Sequence, residues 1–148
     1  MEAVDLLLLH TVDPEVSLEE SVGTLAELAT EGRAKAVGVC NVDADQLARA
    51  RATTGIAAVQ NHLNMRDREH LQLAHDCADD GITFMAWWPL RGGALLEDAE
   101  LTATATERGL TPAQLALTWI HETAPEVIPI VGFTEERELL EALALEPS

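Results

Sequence analysis

The sequence of 148 residues contains no tyrosine, one lysine and two cysteines. A net charge of −17 would repel phosphate backbones, which disfavours a nucleic-acid partner. Two cysteines give no disulfide framework, and no apolar run is long enough to cross a membrane. Since a signal-peptide pattern is also missing, these absences predict a cytoplasmic protein with neither a nucleic-acid nor a membrane partner.

The length and composition predict one globular domain over residues 1–148. Apolar residues make up 47% of the chain and charged residues 24%, which is typical of a folded protein. Aromatic residues account for only 3%, so leucine, alanine and valine must fill most of the core. The chain is too short for a complete eight-stranded (β/α) barrel, which needs roughly 200 residues or more.

Short apolar runs alternate with longer amphipathic stretches, which predicts five βα units. The predicted strands are residues 4–10, 36–41, 56–63, 82–90 and 127–133. The predicted helices begin near residues 17, 43, 67, 99, 112 and 135, and the last ends near residue 145. Ser17 and Asp43 are predicted N-caps, and Thr111 with Pro112 opens the fifth helix. The first run reads as a strand buried on both faces. Such alternation implies a parallel sheet, and both a doubly wound sheet and a partial barrel satisfy it.

The predicted strands end in residues suited to a binding face. In parallel α/β folds functional residues gather at the carboxyl ends of the strands. Any one polar residue there is more often a loop cap, but five successive ends of this kind favour a binding face. Those ends carry His10, Asn41, Gln60 with Asn61, Trp87 with Trp88, and Gly132 with Phe133.

Six segments, in order and covering nearly the whole chain, resemble successive signatures of the aldo-keto reductases. They are VDLLLLH, AVGVCN, AVQNHLN, WWPLRGG, LTPAQLALTWI and VIPIVG. The resemblance implies an α/β fold that is part of a (β/α)8 TIM barrel, with about five βα units matching strands 4 to 8. The chain would then be an N-terminally truncated member.

The resemblance also implies an activity and a site. The family reduces aldehydes and ketones with NADPH and without a GxGxxG fingerprint, and this chain likewise has none. His10 matches the histidine that orients the small carbonyl substrate, Asn41 and Gln60 match the residues that hold the nicotinamide carboxamide, and Trp87 matches the aromatic that stacks on the ring. The full set of implied cofactor-binding residues is Cys40, Asn41, Gln60, Trp87, Trp88, Pro89, Leu90, Gly92, Gly93, Gly132, Phe133, Thr134, Glu138 and Glu141.

Several positions depart from the family pattern. Cys40 stands where serine is usual, and Trp88 also replaces a common serine. Glu138 stands at a position that is often basic and grips the 2′-phosphate of NADPH, where a carboxylate would repel phosphate. Ala142 replaces an asparagine beside the adenine-contacting Glu141. These departures predict weakened NADPH binding.

The chemistry itself needs an acid that protonates the developing alkoxide. The family uses a tyrosine activated by a lysine and an aspartate, all on strands that precede the matched part. Lys35 lies before the second predicted strand, at the opposite face. With His10 as the sole catalytic residue, we expect the isolated chain to be an impaired or inactive reductase.

Two other interpretations stay open at this point. One is a non-catalytic binding or assembly module that self-associates through open barrel edges. The other is a remnant of a longer reductase, or a reading frame in which Met1 is internal. A metal site is not expected, because His70, His75 and Cys77 have spacings that do not share a helix face.

Overall fold

The computed structural model describes residues 3–144, in which five strands alternate with six α-helices as the sequence predicts. The elements are β1 (Val4–Leu9), α1 (Leu18–Thr30), β2 (Ala34–Cys40), α2 (Ala44–Thr53), β3 (Ala58–His62), α3 (Leu71–Asp79), β4 (Thr83–Trp87), α4 (Ala99–Glu107), α5 (Pro112–Thr123), β5 (Ile128–Ile130) and α6 (Glu136–Leu143). The expected helix end near residue 145, and Met1, lie outside the described residues. No helix among the described residues is long and apolar enough to cross a membrane.

The strands form one sheet in the order β1-β2-β3-β4-β5. β1 with β2 and β2 with β3 are parallel, with Leu8 opposite Gly38 and Val39 opposite Val59. Each strand neighbours the next one along the chain, whereas a doubly wound sheet reverses its strand order at a switch point. The order therefore favours the barrel over the doubly wound sheet, which periodicity alone did not decide.

The helices begin where side chains satisfy the first backbone N–H groups, as the sequence predicts. Ser17 Oγ accepts from Glu20 N at 3.1 Å at the start of α1. Asp43 forms a reciprocal capping box at the start of α2, and so does Thr111 at the start of α5. Pro112 occupies the first turn of α5, where its missing N–H costs no hydrogen bond.

The chain divides into two compact units. The first comprises Met1–Asn61 and His70–Met85, and the second comprises His62–Glu69 and Ala86–Ser148. In the first unit α1 packs on β1, β2 and α2, and its core includes Val22, Val39 and Cys77.

The second unit has its own apolar cluster, formed by Leu95, Leu101, Ala105, Leu115 and Ala116. This cluster joins α4 to α5 and the loop that follows β4.

Charged contacts at the rim of the second unit hold the segment that follows β3. Arg66 Nη2 lies 2.9 Å from Asp98 Oδ2 and 2.6 Å from Glu100 Oε2. The Arg68 guanidinium carbon stands 4.8 Å from the centre of the Trp119 ring. Exposed ion pairs are individually weak, so the apolar cluster supplies most of the stability and these contacts fix the path of the segment.

Several element boundaries differ from the predicted ones. α3 begins at Leu71 rather than near residue 67. Asn64 Oδ1 instead accepts from the backbone N–H groups of Arg66 and Asp67, at 3.0 Å each, and closes a turn there. β4 ends at Trp87 because Trp88 adopts a φ of 62°, which no strand tolerates.

The prediction that β1 is buried on both faces is wrong. Its residues range from half-buried to exposed, and 50% of Val4 is exposed. The reason is that β1 ends the sheet and has β2 as its strand neighbour. An apolar run therefore indicated the strand correctly but not its place at an edge.

Gly38 in β2 tolerates no side chain. A Cβ built there would overlap the Ala58 carbonyl oxygen and lie 2.6 Å from Leu8 Cδ2, so the backbones of β2 and β3 approach too closely for alanine. We expect Gly38→Ala to lower the free energy of unfolding by about 2 kcal/mol or more, because the strands must separate. Urea denaturation followed by circular dichroism measures this.

Gly23 in α1 provides the matched control for this substitution. Nothing lies within 4 Å of a Cβ built there, so Gly23→Ala should leave stability unchanged or raise it by about 0.5–1 kcal/mol. Equal effects of the two substitutions would contradict the proposed close approach.

Candidate functional site

In the first unit, three of the predicted site residues meet at the carboxyl edge of the sheet. His10 directly follows β1 and is exposed, Asn41 directly follows β2, and Gln60 lies within β3. Asn41 Nδ2 donates to the His10 carbonyl at 2.9 Å, and Asn41 N donates to the Gln60 carbonyl at 3.1 Å. Asn41 has a φ of 56°, a conformation that asparagine tolerates better than most residues. The predicted carboxamide-binding residues and the predicted catalytic histidine are therefore neighbours.

The thiol of Cys40 contacts the Gln60 side chain. Cys40 Sγ lies 3.2 Å from Gln60 Oε1, and a thiol at that distance donates to the amide oxygen. Burial raises the pKa of Cys40, which keeps the thiol protonated and able to donate. Cys40, which stands where the family usually has a serine, thus orients the Gln60 amide through a hydrogen bond that is weaker than one from a hydroxyl.

Lys35 is remote from this edge. It is the second residue of β2, rather than preceding that strand, and therefore lies at the amino end. Lys35 Nζ pairs with Asp5 Oδ1 of β1 at 2.6 Å. An ammonium group at that end of the strands cannot activate an acid at the carboxyl edge.

Asn61, which the sequence indicated only as a polar residue at a strand end, is a structural determinant of this edge. Its side chain is fully buried, Oδ1 accepts from Val42 N at 3.1 Å, and Nδ2 donates to Val42 O at 2.6 Å. Nδ2 also lies 3.2 Å from His70 Nδ1. One amide thereby fixes the loop that follows Asn41, and the available signal was an amide residue inside an apolar strand.

The second unit contains a cavity of about 630 Å³ that is lined by residues from the loop after β4, from α5, and from β5 through α6. Its size falls in the range of small-molecule and cofactor sites. Ten predicted site residues line it: Trp88, Pro89, Leu90, Gly92, Gly93, Gly132, Phe133, Thr134, Glu138 and Glu141. Ala142, which the sequence marked as a departure from the family pattern, also lines it, and so do residues that the sequence did not single out as site residues: Leu96, Pro112, Ala113, Leu117, Ile130, Val131 and Arg137.

Trp87 is not among the lining residues of this cavity. Its ring centre lies 5.8 Å from that of Trp88 and 5.5 Å from that of His62, with which it forms a T-shaped pair. His62 Nε2 in turn lies 3.2 Å from Asp67 Oδ2. These contacts hold the indole of Trp87 in one orientation at the end of β4.

The loop after β4 leaves room along its backbone. Gly92 and Gly93 have φ values of 61° and 95°, which glycine adopts without strain. A Cβ at Gly92 would lie 3.3 Å from Trp88 Nε1, whereas nothing stands within 4 Å of one at Gly93. A ligand phosphate can approach this backbone closely, so the loop fits the pyrophosphate part of a dinucleotide.

The wall that α6 contributes to the cavity is acidic. Glu138 Oε2 accepts from Thr134 N at 2.8 Å, from Thr134 Oγ1 at 3.1 Å and from Glu135 N at 3.2 Å. The backbone N–H donors of Thr134 and then Glu135 lower the pKa of Glu138, which keeps its carboxylate charged at neutral pH.

The other charged residues of this wall are also paired. The Thr111 hydroxyl donates to Glu141 Oε1, and Arg137 Nε pairs with Glu135 Oε2 at 2.8 Å. The cavity therefore fits a dinucleotide in its size and glycine loop, but its α6 wall does not suit an additional phosphate.

Fold and cavity together define a partial (β/α)8 barrel with a candidate nucleotide site. The sequence model of the Aldo/keto reductase family matches residues 1–146, and the chain belongs to that family.

Individual relatives agree with this assignment. Pyridoxine 4-dehydrogenase of Escherichia coli is 35% identical over 132 residues, which cover 89% of this chain and 46% of that protein. An uncharacterized oxidoreductase of Schizosaccharomyces pombe is 30% identical, with 95% and 46% covered. The chain thus spans about half the length of the curated relatives it matches.

Solved structures agree as well. A thermostable aldo-keto reductase in complex with the inhibitor epalrestat superimposes with a TM-score of 0.87 at 31% identity, with 99% of this chain and 57% of that one covered. The aldo/keto reductase of Klebsiella pneumoniae in complex with NADP and acetate gives a TM-score of 0.83 at 26% identity, with 99% and 56% covered.

Removing the Asn61 amide should destabilise the first unit. We expect Asn61→Ala to cost about 2–4 kcal/mol, because it leaves the buried Val42 N–H and C=O without these partners. Gln60→Ala, at the adjacent and half-buried position, should cost less than half as much. Chemical denaturation of the two variants tests this, and equal losses would contradict the role given to Asn61.

Proposed function

We propose that the chain forms a single partial-barrel domain of an aldo-keto reductase that binds a reduced nicotinamide dinucleotide, NADPH or NADH. The observation that carries the proposal is the cavity of about 630 Å³, which gathers ten of the positions for which the resemblance to the family implies cofactor binding. Aldo-keto reductases of Klebsiella pneumoniae have been solved with NADP and with NADPH, which supports a cofactor of this class.

The resemblance to the family implies a role for residues of each unit, taken by itself. In the first unit Asn41 and Gln60 hold the nicotinamide carboxamide, since an amide both donates and accepts hydrogen bonds. In the second unit the loop with Gly92 and Gly93 receives the pyrophosphate, and the α6 wall receives the adenosine end. Trp87, fixed by its aromatic neighbours, provides the stacking surface.

A bound reduced nicotinamide supplies a hydride to the carbon of a small aldehyde or ketone. The substrate oxygen then needs a proton, and a positioned acid normally delivers it. Among the 148 residues no tyrosine is available, Lys35 is paired at the other end of the strands, and His10 is the exposed imidazole at the carboxyl edge. We therefore propose that His10 orients the carbonyl and that this chain alone reduces it slowly.

A second candidate is a non-catalytic binding or assembly module. The exposure of Val4 in β1 favours it, and so does that of Ile128 and Ile130 in β5, because exposed apolar residues on terminal strands invite association. A module of this kind has no need of a nucleotide. Cofactor binding therefore separates the two candidates.

Dinucleotide binding should change the tryptophan emission of the purified chain. Trp88 lines the cavity, whereas Trp119 lies under Arg68 and does not line it. We expect NADH or NADPH to quench the emission saturably, Trp87→Phe and Trp88→Phe each to reduce the quenching, and the control Trp119→Phe to retain it. Titrations without saturation would favour the assembly module.

Carbonyl reduction by this chain should be slow. With one catalytic group and no positioned acid, we expect turnover at least roughly a thousandfold below the typical enzyme value of about 10 s⁻¹. Loss of dinucleotide absorbance at 340 nm with an aromatic aldehyde measures it, and His10→Gln should lower the residual rate further, because it removes the group proposed to orient the carbonyl. Turnover at ordinary enzyme rates would overturn the proposed slow reduction, and a residual rate unchanged in His10→Gln would overturn the role given to His10.

A further inference from the structure

The carboxylate of Glu138 occupies the place in this cavity that best suits a phosphate. The first backbone N–H groups of a helix attract anions, because they lack partners within the helix and lie at its positive end. Just before the first turn of α6, the N–H groups of Thr134 and of the N-cap residue Glu135, together with the Thr134 hydroxyl, all donate to Glu138 Oε2. A ligand phosphate could reach these donors only by displacing a charged group of the chain.

The remaining charges of this wall do not compensate for that carboxylate. Arg137 is the one cationic residue lining the described cavity, and its guanidinium already pairs with Glu135. Glu141 adds a second acidic side chain to the lining. NADPH carries about two more negative charges than NADH. The α6 wall disfavours the additional phosphate because Glu138 already occupies the backbone donors and because the wall is itself negatively charged.

We propose that Glu138 is a specificity-determining residue that makes this cavity select dinucleotides without a 2′-phosphate, which means NADH over NADPH. This inference rests on the proposed function. A carboxylate only accepts hydrogen bonds, and the free 2′-hydroxyl of NADH donates one. The same oxygen atoms that repel a phosphate thus suit a ribose diol.

The test measures dissociation constants for NADH and NADPH by tryptophan quenching at low ionic strength. Adenosine 5′-monophosphate and adenosine 2′,5′-bisphosphate are added as probes of the adenosine end alone, read by calorimetry. For the unmodified chain we expect NADH to bind at least roughly tenfold more tightly than NADPH, and the monophosphate to bind more tightly than the bisphosphate.

Glu138→Gln removes the negative charge of the side chain but keeps an oxygen that accepts the hydrogen bonds before α6. Glutamine at this position still accepts from the backbone N–H groups, so α6 keeps its start, and circular dichroism checks that it does. We expect the variant to bind NADPH roughly five- to tenfold more tightly while NADH affinity changes less than about twofold. Glu136→Gln is the matched control, since it removes the same charge from the same helix at a position that does not line the cavity.

Three results would overturn the inference, and they distinguish failure of the proposed specificity from failure of the proposed function. NADPH binding as tightly as NADH to the unmodified chain would contradict the specificity alone. An equal shift of the NADH to NADPH ratio in Glu138→Gln and Glu136→Gln would assign the preference to overall charge and not to Glu138. Absence of binding by every dinucleotide and adenosine probe would contradict the proposed function, and the specificity with it.

Discussion

The close parallel pairing of β1, β2 and β3 is the constraint on which the first unit depends. Gly38 brings the backbone of β2 against that of β3 and against the Leu8 side chain, so the strands meet at a single register. Because that register aligns their carboxyl ends, the residues that follow them become neighbours, as His10 and Asn41 do. The buried Asn61 amide also holds Val42, and with it the loop that follows Asn41, so the residues at this edge have fixed positions.

Much of the fold was predictable because its signals are local. Hydrophobic periodicity indicated five strands and six helices, and the caps at Ser17, Asp43 and Thr111 marked helix starts whose geometry the structure confirms. The features that differ from the prediction depend on a local turn and on the order of the strands, which hydrophobic periodicity does not reveal. The turn closed by Asn64 delays α3, and the exposure of β1 follows from its position in the sheet order, which no apolar run reveals.

The candidate site was predictable in composition but not in its internal chemistry. Matching strand ends to a family identified ten residues that prove to line one cavity. The family match also marked Glu138 as a departure, but it could not show that its carboxylate accepts three hydrogen bonds at the start of α6. Similarly, Asn61 and Arg137 acquire their roles only from partners in the folded chain. Residue identities lead one to expect a nicotinamide dinucleotide. The hydrogen bonds of Glu138 and the ion pair of Arg137, which only the folded chain reveals, bear on whether NADH or NADPH suits the site.

Trp88 shows how this site limits further improvement of the chain's stability. A bulky residue with a φ of 62° costs about 1–2 kcal/mol relative to glycine, yet its indole forms a wall of the cavity beside Gly92. Glycine or asparagine at this position would relieve the backbone strain and favour thermal stability, but it would leave this wall of the cavity without the indole. Tryptophan at this position therefore combines a strained backbone with a bulky wall of the cavity, so a stabilising substitution here would change the shape of the cavity.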